Sequence, residues 1–474
     1  MIQFANGRRP HTIHARGETM LHRRDAMIRV GQAGFGALAL PGLLQAQQQT
    51  NGMGTGGKAK SVILIYLWGG PPQMDMWDPN PEAPSGIRSL FKPVPTKVPG
   101  IHVSEAMPLF AKWTHKTAII RSLTHDSNEH GNSVYYTLTG HKDKAKVFGR
   151  NHRSRKDWPG MGSVLAGLLP IQRIPATITI PRPIGHGGVT YSGTHAGFMG
   201  PRHDPLELGR VGEQEGADEP HPLSLPKEVS KTRLLARKGL VQSLEDLGRR
   251  LQTDPATAGF TDYREQALDM LLTSKVKDAI DLKNETAKTR ERYGRNEWGE
   301  AILTAKRLVE AGVRLVTISW MYISPEGIVA NVWDNHGGKI ITGYEMLKND
   351  YCLPSLELGF NALMEDLTAS DLLEETLVAM YGEFGRTPKI NENNGRDHWG
   401  ALQSAVLAGG GIQGGQVYGK SDKQSAYPTD RPVAPEDLHA TMYHALGIPP
   451  DTVVYDQFNA PHRICDGRPL TTLF

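Results

Sequence analysis

An apolar run of strand length that ends on a glycine-flanked acid constrains this chain more than any other stretch. Thr376-Leu377-Val378-Ala379-Met380-Tyr381 leads straight into Gly382-Glu383-Phe384-Gly385-Arg386-Thr387-Pro388, and Arg396-Asp397-His398-Trp399 follows soon after. Upstream, Leu353, Leu356, Phe360, Leu363, Met364 and Leu367 recur at helical spacing. A helix, a buried strand and then polar residues at the strand's C-terminal end is the order in which open α/β sheets present functional groups. Glu383 and Arg386 fit that role. They equally fit an ion pair that holds a loop.

Other runs repeat the theme. Ser61–Trp68 is continuous, rich in β-branched residues and closed by Gly69-Gly70-Pro71-Pro72, which predicts a central buried strand and a tight turn. Thr117–Leu123, Ala176–Ile180, Val313–Trp320 and the run from Ala405 into its glycines read as further strands. Trp298, Ala301, Ile302, Ala305, Leu308 and Val309 share one helical face stopped by Gly312, and a last helix spans Pro435 to Leu446 before Gly447. The fold class is therefore α/β, a mostly parallel central sheet flanked by helices. Residues 47–60 read as a linker, 61–474 as the domain, and 226–311 as a largely helical, charged insertion.

The pI near 8.6 would invite a nucleic-acid partner, but the basic excess is local. Residues 1–46 hold six Arg and no Lys against two acids, so the chain's net charge of +3 leaves about −1 for the rest. Arg23-Arg24 ahead of the apolar, Gly/Ala-rich segment Ala33–Leu44, with Ala46 as a cleavage position, resembles a twin-arginine export signal. The competing reading is a basic surface helix. The apolar part is too short for a permanent membrane span. Cys352 and Cys465 match no metal or redox spacing. The glycines of 409–415 lack the spacing and the Lys-Ser/Thr of a phosphate loop.

Titratable groups gather at three further places. Asp75 and Asp78 follow the first strand, as ligands or as turn aspartates beside prolines. His125, Asp126, Glu129, His130 and Ser133 precede a helix expected from Val134 onward. Its N-terminus offers free N–H groups to an anion, and Ser133 or His130 is placed to attack or to donate a proton; polar helix caps are the alternative. Asp334 and His336, two apart on a glycine-flanked loop after a strand, make half of a metal site.

Taken together, Leu67-Trp68-Gly69-Gly70-Pro71, Trp333-Asp334-Asn335-His336-Gly337 and Gly382–Pro388 with Gly395–Trp399 closely resemble the domain-of-unknown-function 1501 family of exported bacterial proteins. That family resembles a distant branch of the alkaline phosphatase and sulfatase superfamily. The resemblance implies an alkaline phosphatase-like sheet with a site at its C-terminal edge, and two metal positions about a nucleophile. Asp334, His336 and His398 match one metal position. The other is degenerate: Gly69 and Gly70 stand where its first aspartate belongs, and Glu383-Phe384 where an Asp-His pair belongs. Glu383 remains a candidate ligand, and Asp75 or Asp78 a substitute for the lost aspartate. The nucleophile position falls at His130, with Ser133 out of register. Arg386 and Arg396 are expected to grip an anionic group, and Asp397 to orient a ligand.

Two functions follow from the resemblance. One is an exported hydrolase of phosphate or sulfate esters that uses a divalent metal (zinc, calcium, magnesium or manganese) on an anionic small molecule or a sulfated or phosphorylated glycan. The other is a sulfatase-like protein that binds a metal or anion without turnover.

Overall fold

The computed structural model describes residues 57–142, 152–170, 174–186, 189–209, 274–320 and 332–474, with short pieces between 230 and 237, at 322–323 and at 329–330. The expected export signal, most of the linker and about half of the insertion lie outside the described residues.

The six expected strands, joined by two short ones that the sequence reading missed, Leu206–Glu207 and Gln416–Tyr418, form one eight-stranded sheet. They are β1 (Ser61–Tyr66), β2 (Thr117–Leu123), β3 (Thr177–Ile180), β4 (Leu206–Glu207), β5 (Leu315–Ser319), β6 (Thr376–Tyr381), β7 (Gln403–Ala408) and β8 (Gln416–Tyr418). Their spatial order is β8-β2-β7-β6-β1-β5-β3-β4, and only β7 pairs antiparallel with its neighbours. β6 leaves the sheet at the C-terminal edge, and β7 enters beside it in the opposite direction. The segment between them, 382–402, therefore stays at that edge. This reversal keeps Glu383, Arg386 and His398 together.

Side chains that alternate along each strand divide the core in two. Ile63 and Ile65 of β1, with Val378 and Met380 of β6, pack under helices α3 (Glu297–Glu310) and α4 (Leu353–Ala369). Val62, Leu64 and Tyr66, with Leu377, Ala379 and Tyr381, pack under α1 (His130–Thr139), α2 (Met161–Leu168) and α5 (Pro435–Ala445). Strands covered on both faces have no room for polar positions, which is why they read as unbroken apolar runs. The helix α3 starts where the Asn296 side chain accepts the Trp298 and Gly299 amides, and it stops before Gly312 at φ +105°.

Three expectations about organisation change. Glu297–Glu310 is no insertion: its apolar face, Trp298 to Val309, belongs to the same core as β5, which makes it the crossover that delivers that strand. Residues 57–60 are no free linker either. Ala59 N donates to Ala445 O and Lys60 N to Glu375 O, and a Cβ on Gly57 would lie 2.0 Å from Gly447 N. Finally, α1 begins at His130 instead of Val134, because the Ser133 amide already bonds the Glu129 carbonyl at 2.9 Å. Cys352 and Cys465 are both free and buried. Among the described residues no helix is long and apolar enough to cross a membrane.

Candidate metal centre

Three loops meet at the C-terminal edge. Arg386 and His398 face each other across a two-residue antiparallel pair, Gly385–Arg386 with His398–Trp399. The Asp334–His336 loop is laced to the same segment: Arg396 N donates to Asn335 O at 3.2 Å, and Asn391 Nδ2 donates to His336 O at 3.0 Å. Gly395 permits this approach, since a Cβ there would lie 2.2 Å from His336 O. The third loop brings in Asn128 and His130 at the start of α1.

The result is a knot of nitrogen and oxygen atoms. His336 Nε2 and His398 Nε2 lie 2.9 Å apart, and Asp334 Oδ1 is 2.9 Å from the first and 3.0 Å from the second. On the far sides, His398 Nδ1 donates to the Asn128 carbonyl at 3.0 Å, and His336 Nδ1 to Asp397 Oδ1 at 2.8 Å. A carbonyl and a carboxylate only accept, so each outer nitrogen holds the hydrogen. In the neutral rings both Nε2 lone pairs then point at the Asp334 oxygen. Three acceptors in mutual contact repel unless a cation or protons lie among them. Imidazoles backed by acceptors and aimed at a carboxylate are the donor set that divalent metals take.

Charge gives the same answer. Asp334 pairs with the Arg386 guanidinium, whereas Glu383 and Asp397 pair only with the His130 and His336 imidazoles, which leaves two negative charges for protons or a divalent ion to balance. Asp334, His336 and His398 are 23%, 35% and 22% exposed, so a small ligand can reach them. Burial alone would raise the Asp334 pKa, but Arg386 and the three histidines hold it well below the usual carboxylate range.

His130 closes the fourth side. Its Nδ1 lies 2.7 Å from Glu383 Oε1 and its Nε2 3.5 Å from Asp334 Oδ2. One ligand atom from each of His130, Asp334 and His398 can be chosen so that all lie within 4.8 Å of one another. Burial works against a charged His130, but Asp334 and Glu383 outweigh it and raise its pKa to about 9. A raised histidine pKa stabilises the fold fully below the ordinary value, and that contribution is lost as pH rises through the folded value. Metal-free protein is therefore expected to lose up to about 3 kcal/mol of unfolding free energy between about pH 6.5 and 9. Denaturant titrations across that range check this, with His130→Gln expected to flatten the slope.

Five expected site residues have other partners. Ser133 is fully buried on α1, its Oγ bonded to Ser127 Oγ at 3.0 Å and turned into the protein. Asp75 is buried against Arg396, with Oδ2 2.7 Å from Nε and Oδ1 2.6 Å from the Tyr344 hydroxyl, so neither oxygen is left for a metal. Arg396 binds that carboxylate and the Ile87 and Thr387 carbonyls, which leaves no fork for a substrate anion. Arg386 donates to the carbonyls of Gly70, Arg396 and Trp333 and, at 2.6 Å, to Asp334 Oδ1. It holds the aspartate instead of gripping a ligand. Asp78 is likewise committed, to Ser421 at 2.6 Å and Arg121 at 3.3 Å. Asp75→Asn, which strands a buried guanidinium, should cost about 3–5 kcal/mol in denaturant unfolding while metal affinity stays unchanged.

Glu383 enters the site indirectly. It is fully buried, and both carboxylate oxygens accept from Gly69 N–H at 3.0 and 3.1 Å. Gly69 thus stands where the resemblance called for an aspartate, and it offers an amide hydrogen in place of a ligand oxygen. Beside it, a Cβ on Gly70 would lie 2.5 Å from the Phe384 ring, and that ring packs 4.4 Å from His398 and 5.0 Å from His130. Phe384 thus stands where the resemblance called for a histidine ligand, and its ring offers no donor atom. Sequence reasoning missed Asn128 and the Gly69 amide, because both act through the main chain.

Residues 59–474 match the family described as "Protein of unknown function (DUF1501)". The chain belongs to this family. No curated protein matches it. Among solved structures, this DUF1501 chain is similar to Ps i-CgsB in complex with k-i-k-neocarrahexaose, at 12% identity over 86% of this chain and 75% of that one, TM-score 0.39. It is also similar to the PsFucS1 sulfatase from Pseudoalteromonas sp., at 13% identity over 85% and 71%, TM-score 0.32. The lipoteichoic acid synthase LtaP from Listeria monocytogenes is similar at 10% identity over 87% and 76%, TM-score 0.32.

Proposed function

We propose that this DUF1501 protein is a metal-dependent hydrolase of phosphate or sulfate esters, exported by the twin-arginine route and acting on an anionic small molecule or a sulfated or phosphorylated glycan. The observation that carries this reading is the meeting of Asp334 Oδ1, His336 Nε2 and His398 Nε2 within 2.9–3.0 Å at the accessible edge of the sheet. A divalent ion held by these three would polarise an ester oxygen and lower the pKa of an attacking water. Asp397 and the Asn128 carbonyl fix the two rings, and Arg386 fixes the aspartate, so the donors need no rearrangement. With Ser133 turned away, water is the nucleophile.

A second reading, metal or anion binding without turnover, is favoured by one feature: Phe384 over Gly70 closes the place of a second ion. Nitrophenyl phosphate and sulfate esters, tested with protein loaded singly with zinc, manganese, magnesium or calcium, separate the two. The hydrolase reading expects turnover with at least one ester and metal, unchanged in Ser133→Ala. Metal uptake with no turnover of any ester favours the second reading.

A further inference from the structure

His130 was expected to carry a proton or to attack. Its surroundings point to a different task. We infer that His130 is itself a metal ligand, so that His130, Asp334, His336 and His398 form one nitrogen-rich mononuclear centre that selects a transition ion over magnesium or calcium, with Glu383 as the carboxylate that orients His130. The inference rests on the reading that Asp334, His336 and His398 hold a metal, and it goes further in naming the ion's class, the ligand count and two residues' tasks.

The first support is a repeated arrangement. Each of the three imidazoles has its outer nitrogen on a fixed acceptor: His130 on Glu383 at 2.7 Å, His336 on Asp397 at 2.8 Å and His398 on the Asn128 carbonyl at 3.0 Å. Each inner nitrogen then turns toward Asp334, at 3.5, 2.9 and 3.0 Å. A histidine that shuttles protons has no need to match two neighbours in this way. Three imidazoles backed by acceptors around one carboxylate are what a shared ion requires.

The second support is spacing. Bonds of about 2.1 Å set tetrahedral ligand atoms about 3.4 Å apart; Asp334 already lies 3.0 Å from His398 Nε2 and 3.5 Å from His130 Nε2, and the whole set from His130, Asp334 and His398 lies within 4.8 Å, so an ion needs the two imidazoles to close on it by about an ångström. The His130 and His336 rings each stand 4.5 Å, centre to centre, from the His398 ring. The third support is exclusion. Glu383 is fully buried, with both oxygens on the Gly69 amide and one on His130, so it orients a ligand and is not one. Phe384 against His130 and His398 leaves that flank apolar, which limits the centre to one ion. Three imidazoles and one carboxylate suit zinc, iron, cobalt, nickel or copper, whereas magnesium and calcium favour all-oxygen shells.

The test uses the chelator-stripped full chain titrated with cobalt(II), read by its visible absorption and by calorimetry, together with X-ray absorption on the cobalt form to count imidazoles. The expected results are one cobalt per chain, three imidazoles, and affinity at least about 100-fold above that for magnesium or calcium. His130→Ala should weaken cobalt about 100-fold and change the visible spectrum, and Glu383→Gln should weaken it about 10- to 100-fold. The imidazole count needs no variant, so it holds even if His130→Ala fails to fold. Two imidazoles in the wild type, or a His130→Ala protein with unchanged affinity and spectrum, overturns the inference and leaves the three-residue metal reading standing. Magnesium or calcium bound as tightly as cobalt overturns the choice of ion. No cobalt bound at millimolar concentration overturns both the inference and the reading beneath it.

Discussion

Arg386→Met is expected to cost the fold about 4 kcal/mol or more, because it strips several buried acceptors at once. The guanidinium is fully buried and donates to the Gly69, Gly70, Trp333 and Arg396 carbonyls as well as to Asp334. A methionine of similar volume keeps the packing and offers none of these hydrogens. Each orphaned buried carbonyl costs about 1–3 kcal/mol, and the Asp334 carboxylate loses its only guanidinium. Arg386→Lys should recover part of the loss, since an ammonium restores the charge without the planar fork. Denaturant unfolding of both variants gives the comparison. If Arg386→Met unfolds within about 1 kcal/mol of wild type, the guanidinium is not the tie between these loops.

His398→Ala is expected to have the largest functional effect. It removes one of the two imidazoles in direct contact with Asp334 Oδ1 and leaves the Asn128 carbonyl without its ring donor. The side chain is only 22% exposed but lies at the accessible edge, so the expected loss of stability is modest. On the metal reading, loss of this imidazole should weaken divalent metal binding by at least about 100-fold, the upper end of what loss of an orienting partner costs. Any metal-dependent ester turnover should fall with it. Calorimetric titration of wild type and variant with zinc measures the ratio. Equal affinities would show that the ion, if one binds, sits elsewhere.

Much of the architecture was legible in the sequence, for a physical reason. Strands covered on both faces, such as 61–66 and 376–381, are apolar at nearly every position past the paired Ser61 and Thr376 hydroxyls, and they end at glycines that a positive φ (Gly69, Gly70) or a close approach to Pro71 (Gly382) requires. Asp334, His336 and His398 were legible as a group because residue type alone marks them, and the fold brings them together. The antiparallel direction of β7 was not, since direction lies in the pairing and leaves no trace in an apolar run. The tasks of Arg386 and Arg396 were hidden for a related reason. Their partners are mostly main-chain carbonyls, with one distant carboxylate each, Asp334 for Arg386 and Asp75 for Arg396, and a carbonyl has no residue type to read. The same holds for the Gly69 amide that anchors Glu383 and for the Asn128 carbonyl that anchors His398. Exposed arginines and buried ones look alike in one dimension, so both were expected to grip a substrate, and the fold uses both to tie its loops.

The most direct test of the metal centre is anomalous diffraction from crystals of the full chain grown with one equivalent of zinc. The expected map has one peak, bonded to Asp334, His336 and His398 at about 2.0–2.2 Å. A protein crystallised with zinc whose three side chains remain as close as 2.9–3.0 Å with no anomalous peak among them would contradict the metal centre and the hydrolase reading built on it.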